Sequence, residues 1–257
     1  MPLGIGGAIV TLILTLIFGP GVLSDGSDGT TTTSSGEVGL SPADSAREEP
    51  MVQFVSFVLD DVQETWKAAF GRAGSSYRPA TMVLFRDGTV SGCGAAQSAM
   101  GPFYCPLDEK VYLDLGFFGE LDRRFGAPGD FAQAYVLAHE LGHHVQHLQG
   151  VDTRVRNAQQ SNPDIANPLS VRLELQADCY AGVWAHAAAA RGKLDAGDIE
   201  EGLAAASAVG DDRIQRKTTG SVNVDSFTHG SAKQRSEWFR RGYESGNSNS
   251  CDTFAGQ

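Results

Sequence analysis

Apolar positions are spaced differently in successive parts of the chain. Residues 1–24 carry no charged side chain, and the run from Leu3 to Leu23 has a nearly unbroken apolar core, Ala8–Phe18. A helix of about 20 apolar residues crosses a bilayer, so 1–23 is read as an N-terminal transmembrane anchor. A cleaved signal peptide is the alternative. The basic n-region and a small-x-small cleavage site are missing, which favours the uncleaved anchor. Residues 24–49 are rich in Gly, Ser, Thr and Asp. They offer too little apolar area to offset their ordering entropy and are read as a flexible linker. A globular domain is expected over 50–247, with a C-terminal tail over 248–257.

Within that domain, Val52, Phe54, Val55, Phe57, Val58, Val62, Trp66 and Phe70 recur at helical spacing. They predict an amphipathic helix over 51–70 that Gly71 ends. The segments 80–85 and 110–115 are rich in β-formers and read as strands, with a turn at 86–89 and a Gly-rich loop over 91–106 between them. The run Phe131–Leu148 is apolar and free of Pro. It predicts a helix with Asp130 as N-cap and Gly150 as C-cap. Further helices are expected over 170–184, 194–209 and 231–244, with a polar loop over 211–229. The result is an α+β fold, mostly helical, with a small antiparallel sheet beside the helix 131–148. An exposed strand edge there can hold an extended peptide by main-chain hydrogen bonds.

Composition changes this picture little. The chain has 257 residues, 41% hydrophobic and 20% charged, which suits one globular domain with some extra sequence. The net charge is -11 and Lys and Arg do not cluster, which argues against a nucleic-acid partner. Of the four cysteines, Cys93 and Cys105 bracket the Gly-rich loop, and Cys179 can tie a helix to Cys251 near the C-terminus. Disulfides Cys93–Cys105 and Cys179–Cys251 are expected in an oxidising compartment. Zinc binding by these cysteines is the rival, and the lack of any C-x-x-C spacing counts against it.

The chemistry is concentrated in the helix 131–148, which contains His139-Glu140-Leu141-Gly142-His143. Positions i and i+4 share a helix face, so His139 and His143 can present two imidazoles to one zinc ion while Glu140 handles a proton. A catalytic zinc normally takes a third protein ligand. Gln146 and Gln149 stand where a metzincin needs Gly and His. His147 lies about 12 Å along the axis from His139, too far to close the site. His144 points off the His139–His143 face and is read as a surface or second-layer residue. Downstream, Glu174 and Asp178 share a face of an otherwise apolar helix. Buried carboxylates are uncommon unless paired or metal-bound. Glu174 is therefore the expected third ligand, and Asp178 the acceptor that orients a ligand imidazole. The competing reading is a solvated face with Arg172 beside Glu174.

H-E-x-x-H followed by E-x-x-x-D resembles the gluzincins. The strings Gly101-Pro-Phe-Tyr-Cys-Pro, Ala138-His-Glu-Leu-Gly-His-His-Val-Gln, Glu174-Leu-Gln-Ala-Asp-Cys and Thr228-His-Gly-Ser, with Gln234-Arg235 and Trp238-Phe239, together resemble the bacterial neutral zinc metallopeptidase family over roughly residues 50–245. The resemblance implies a zincin-like fold, a Zn(2+) cofactor, a peptide or protein substrate and an N-terminal membrane segment. It also implies a donor to the oxyanion of the tetrahedral intermediate. His229 is the first choice for that part, Arg235 the second and Tyr104 the third; a plain loop residue before a helix is the alternative for His229.

The function expected is hydrolysis of peptide bonds by a membrane-tethered zinc metallopeptidase, an endopeptidase rather than an exopeptidase. Zinc lowers the pKa of a water and Glu140 acts as general base. The domain is expected on the extracytoplasmic side of the cell membrane, anchored by a single span. Two rivals share the H-E-x-x-H motif. One is a zinc-containing, membrane-anchored binding or assembly protein without turnover. The other is a non-peptidase hydrolase of the deformylase kind, whose Cys ligand does not match the Glu174–Asp178 pair.

Overall fold

The apolar helix predicted over 131–148 is the element on which the others pack. The computed structural model describes residues 42–97, 101–126 and 129–255. Helix α1 (Pro42–Arg72) opens this part and buries Val55, Val58, Val62 and Trp66, spaced three or four apart on one stripe. It starts inside the stretch read as a linker. Pro is accepted at a helix start because its missing N–H has no partner there in any case. The turns that follow are tied down by Gln53 on Glu49 (2.8 Å) and by Arg86 on Glu48 (2.6 Å). The expected anchor, 1–23, lies outside the described residues, as does the linker up to residue 41. Among the described residues, no helix is long and apolar enough to cross a membrane.

Among the described residues, five short strands follow: β1 (Thr81–Phe85), β2 (Gly88–Ser91), β3 (Gly94–Gln97), β4 (Phe103–Cys105) and β5 (Lys110–Asp114). The expected antiparallel pairing of the first and last is corrected. β1 runs parallel to β5, in the register Thr81↔Lys110 to Phe85↔Asp114. The reason lies in the stretch read as a loop. It folds into the β2–β3 hairpin and then β4, which pairs antiparallel with β5 (Phe103↔Tyr112). That extra reversal turns β5 into the direction of β1, and the connection is long enough for a parallel crossover. The sheet order is β1-β5-β4, with β4 an edge strand. A disulfide joins Cys93 to Cys105, fastening the hairpin turn to β4.

The helical part comprises α2 (Phe117–Phe125), α3 (Asp130–Leu148), α4 (Val151–Ser161), α5 (Ala166–Ala190), α6 (Asp198–Ala208), α7 (Asp211–Thr219) and α8 (Ala232–Ser245). Asp130 is the first helical residue of α3 and Gly129 its N-cap, one position earlier than read; the C-cap is Gln149. The left-handed Gly150 (φ 68°) then starts α4. α7 occupies the stretch read as a polar loop. It has no apolar stripe to reveal it, but Asp211 and Asp212 lie in its first turn, Arg216 and Lys217 in its last, and Gly220 at its C-cap, each favourable for a helix. Ser231 and Gln234 form a reciprocal capping box at the start of α8.

The core joins α1, α3, α5, α6 and α8, with Phe131 stacked on Trp184 and Tyr135 edge-on to Phe239. Two helix crossings depend on glycine. A Cβ on Gly242 would lie 1.9 Å from the Cys179 carbonyl oxygen, and one on Gly182 would lie 2.0 Å from that of Phe239, so α5 and α8 touch backbone to backbone. Gly142, inside the H-E-x-x-H sequence, lets α3 approach α5: its Cβ would meet Ala177 Cα and O at 3.1 Å. The segment set apart as a tail is part of the domain. Cys251 is buried and disulfide-bonded to Cys179, Thr253 donates to the Arg172 carbonyl (2.7 Å), and Phe254 packs on the Val151–Val155–Leu169 cluster.

Candidate metal centre

The α3–α5 crossing brings the two i,i+4 faces together. His139 Nε2 lies 3.1 Å from Glu174 Oε2, and His143 Nε2 lies 3.5 Å from Glu174 Oε1. One ligand atom from each of these three residues lies within 4.8 Å of the others. Both imidazoles turn Nε2 inward and use Nδ1 for a supporting contact. His139 Nδ1 donates to Asp178 Oδ1 (2.8 Å) and His143 Nδ1 donates to Gln146 Oε1 (2.9 Å). In the neutral Nδ1–H form each Nε2 keeps its lone pair for a metal. Two imidazole nitrogens and one carboxylate are an open zinc donor set, so the residues fit the ion.

Electrostatics support the same arrangement. Burial alone would raise the Glu174 carboxyl, but His143, His229 and His139 outweigh it and hold it well below the usual range. Burial would likewise raise Asp178, and Arg235 with His139 brings it down. For His139, burial lowers the imidazolium, yet Asp178 and Glu174 more than compensate and raise it to about 10 in the metal-free chain. Glu140 differs. Burial dominates and pushes its carboxyl up, against the opposing pull of His143, His139 and the backbone N–H of Tyr104. A carboxyl raised by burial is a better proton acceptor than an ordinary carboxylate.

His229 stands in the loop before α8, close enough for its charge to act on Glu174. Asp211 holds it in place. Asp211 Oδ2 accepts the backbone N–H groups of Thr228, His229 and Gly230 (2.8, 2.7 and 3.0 Å), and Oδ1 lies 3.2 Å from His229 Nδ1. Burial lowers the His229 imidazolium, but Glu174 and Asp211 bring it above its ordinary value.

The other two expected oxyanion donors are engaged with other groups. Arg235 is buried behind His139, with Nε on Asp178 Oδ2 (2.8 Å), Nη2 on Asp178 Oδ1 (2.9 Å) and Nη1 on the Val209 carbonyl (3.3 Å). The guanidinium holds Asp178 and also lies 3.9 Å from Glu174 Oε2. The Tyr104 hydroxyl is engaged with His144. The Arg78 carbonyl accepts from His144 Nε2 (2.6 Å), so His144 Nδ1 accepts the Tyr104 hydroxyl proton (2.9 Å). The Tyr104 main chain touches the site through its hydrogen bond to Glu140. His144 is fully buried in this contact, not at the surface. His147 bonds Asp152 (2.8 Å), away from the cluster.

Sequence reasoning missed Asp211 and Gln146. Asp211 was hidden in a stretch read as loop. Gln146 entered only as a residue that excludes another ligand pattern, although its place one turn after His143 was a usable signal.

Comparison with known proteins agrees with this chemistry. The chain is 50% identical over 211 residues to Uncharacterized protein YpfJ of Escherichia coli (strain K12), covering 82% of this chain and 74% of that protein. It is 46% identical over 207 residues to Uncharacterized protein Rv2575 of Mycobacterium tuberculosis (strain ATCC 25618 / H37Rv), covering 76% and 68%. No solved structure matches it. The family described as putative neutral zinc metallopeptidase matches residues 2–254, and its implied metal is the one the His139–His143–Glu174 set suits. The chain belongs to that zinc metallopeptidase family.

Proposed function

We propose that the protein is a zinc-dependent endopeptidase with a zincin-like site, tethered by residues 1–23 and acting outside the cytoplasm. The observation that carries the peptidase reading is the convergence of His139 Nε2, His143 Nε2 and Glu174 beside Glu140, whose carboxyl is raised by burial. The two disulfides support an oxidising compartment.

His139, His143 and Glu174 would hold zinc, which would supply Lewis acidity and activate water for attack. The chain's own residues do the rest. Asp178 and Gln146 hold the ligand imidazoles in the Nδ1–H form. Glu140 takes a proton from the attacking water as oxygen bonds to the peptide carbon. It then delivers that proton to the leaving nitrogen as the C–N bond breaks. His229, held by Asp211 through Nδ1, turns Nε2–H toward the carbonyl oxygen as negative charge develops there. The outer edge of β4 borders the site, because the Tyr104 N–H bonds Glu140. An extended substrate can pair along that edge, which favours cleavage within a chain over trimming at its end.

The test is chelator-sensitive cleavage of casein and of a peptide library by the zinc-loaded chain. Glu140→Gln should retain zinc and lose hydrolysis. Full activity of Glu140→Gln, or cleavage insensitive to chelation, would overturn the assignment.

A further inference from the structure

The support behind His143 continues much further than one contact. Gln146 Oε1 accepts from His143 Nδ1, and Gln146 Nε2 donates to the Leu173 carbonyl (2.7 Å) and to Gln176 Oε1 (3.1 Å). Gln176 Nε2 then donates to the Cys251 carbonyl (3.0 Å). Both glutamines are buried, with relative exposures of 0% for Gln146 and 5% for Gln176.

The polarity of this chain has only one solution. Backbone carbonyls can only accept, so Leu173 and Cys251 each face an amide NH2. Gln176 must therefore turn its oxygen toward Gln146, and Gln146 must turn its oxygen toward His143. A flipped amide at either position would set oxygen against oxygen in a buried site, leaving acceptors without donors. His143 Nδ1 must then be the donor. In the neutral imidazole Nε2, the nitrogen that faces Glu174, then carries the lone pair. The far end is fixed as well: Cys251 is disulfide-bonded to Cys179, next in sequence to Asp178.

We infer that Gln146 and Gln176 form a buried amide relay that positions His143 and sets its tautomer for metal binding, with its direction imposed by the Leu173 and Cys251 carbonyls. The inference rests on the zinc-site reading above but not on turnover. The relay is the neutral counterpart of the support behind His139, where Asp178 carries a charge that Arg235 balances. Glu140, Glu174 and Asp178 already place three carboxylates in the site. An amide behind His143 fixes the tautomer without adding a fourth buried negative charge, which would need its own partner.

Two measurements test it. Nitrogen-15 NMR of the imidazoles in the metal-free wild-type chain at alkaline pH should show His143 with its proton on Nδ1. In Gln146→Met, which keeps the volume, both tautomers should appear. Zinc affinity, measured by competition with a chelating dye, should fall by roughly 10- to 100-fold in Gln146→Met, the range for lost outer-shell partners. Gln176→Met should give a smaller loss in the same direction. Gln146→Glu should not restore affinity, because a carboxylate cannot donate to Leu173 or Gln176. A wild-type His143 protonated on Nε2 would overturn the relay without any variant having to fold. So would a folded Gln146→Met that binds zinc as tightly as wild type. Zinc binding without peptide cleavage would instead count against the peptidase reading and leave the relay standing.

Discussion

Asp211 holds His229 by both its ring and its backbone: one carboxylate oxygen takes three consecutive N–H groups from 228–230, and the other faces Nδ1. The two residues lie 18 apart in the chain, on α7 and in the loop before α8. His229→Ala should lower kcat by about 10²- to 10³-fold, the usual cost of a lost oxyanion donor, with zinc content unchanged. Asp211→Asn should act in the same direction and also loosen the loop. Steady-state kinetics together with metal analysis would decide. Loss of zinc in His229→Ala would show a structural role instead.

Glu174→Ala should release zinc, since two imidazoles alone leave the donor set incomplete. Chelation of the wild type should abolish cleavage, and added Zn(2+) should restore it. Metal analysis of Glu174→Ala that shows wild-type zinc would remove Glu174 from the ligand set.

Arg235→Met should destabilise the fold by about 3–5 kcal/mol, because it leaves Asp178 charged and buried without its partner. Denaturant unfolding of the metal-free protein measures this directly. If Arg235 donated to the oxyanion, kcat would fall while stability stayed the same.

The metal-free chain should lose stability with alkali. The His139 imidazolium is raised from 6.5 to about 10 in the folded state by Asp178 and Glu174, over the opposing effect of burial. Between those values the folded chain holds a proton that the unfolded chain has lost. The stabilisation is complete below pH 6.5 and disappears as pH rises toward 10. Zinc must displace that proton, so its affinity should rise over the same window with proton release. Calorimetric titration in buffers of different ionisation enthalpy would detect it. Binding with no proton release at pH 8 would contradict the raised value.

Removing the Cys179–Cys251 bridge should cost about 4 kcal/mol on a loop-entropy basis, given a sequence separation of 72. Cys179→Ser with Cys251→Ser should unfold at lower denaturant and bind zinc less tightly, since the Cys251 carbonyl then loses its anchor. Unchanged unfolding midpoints would exclude a stabilising role for the bridge.

The local chemistry was legible in the sequence because helix geometry repeats every turn. His139 and His143 share a face whatever packs against them, and so do Glu174 and Asp178. The long apolar helices were legible for the same reason, as their stripes are set by the backbone period. α7 was not, since a short polar helix held by its end charges leaves no stripe.

Tertiary structure decided which distant groups meet. The extra reversal at β4 made β1 and β5 parallel. The close α3–α5 approach at Gly142 and Ala177 set one carboxylate between two imidazoles. Packing of α8 against α5 sent Arg235 to Asp178. It also took a long-range fold to join Asp211 to His229, and Gln146 through Gln176 to Cys251. A helical turn specifies neighbours within four residues. Partners farther along the chain depend on how whole helices pack, and that follows from the fit of the complete core.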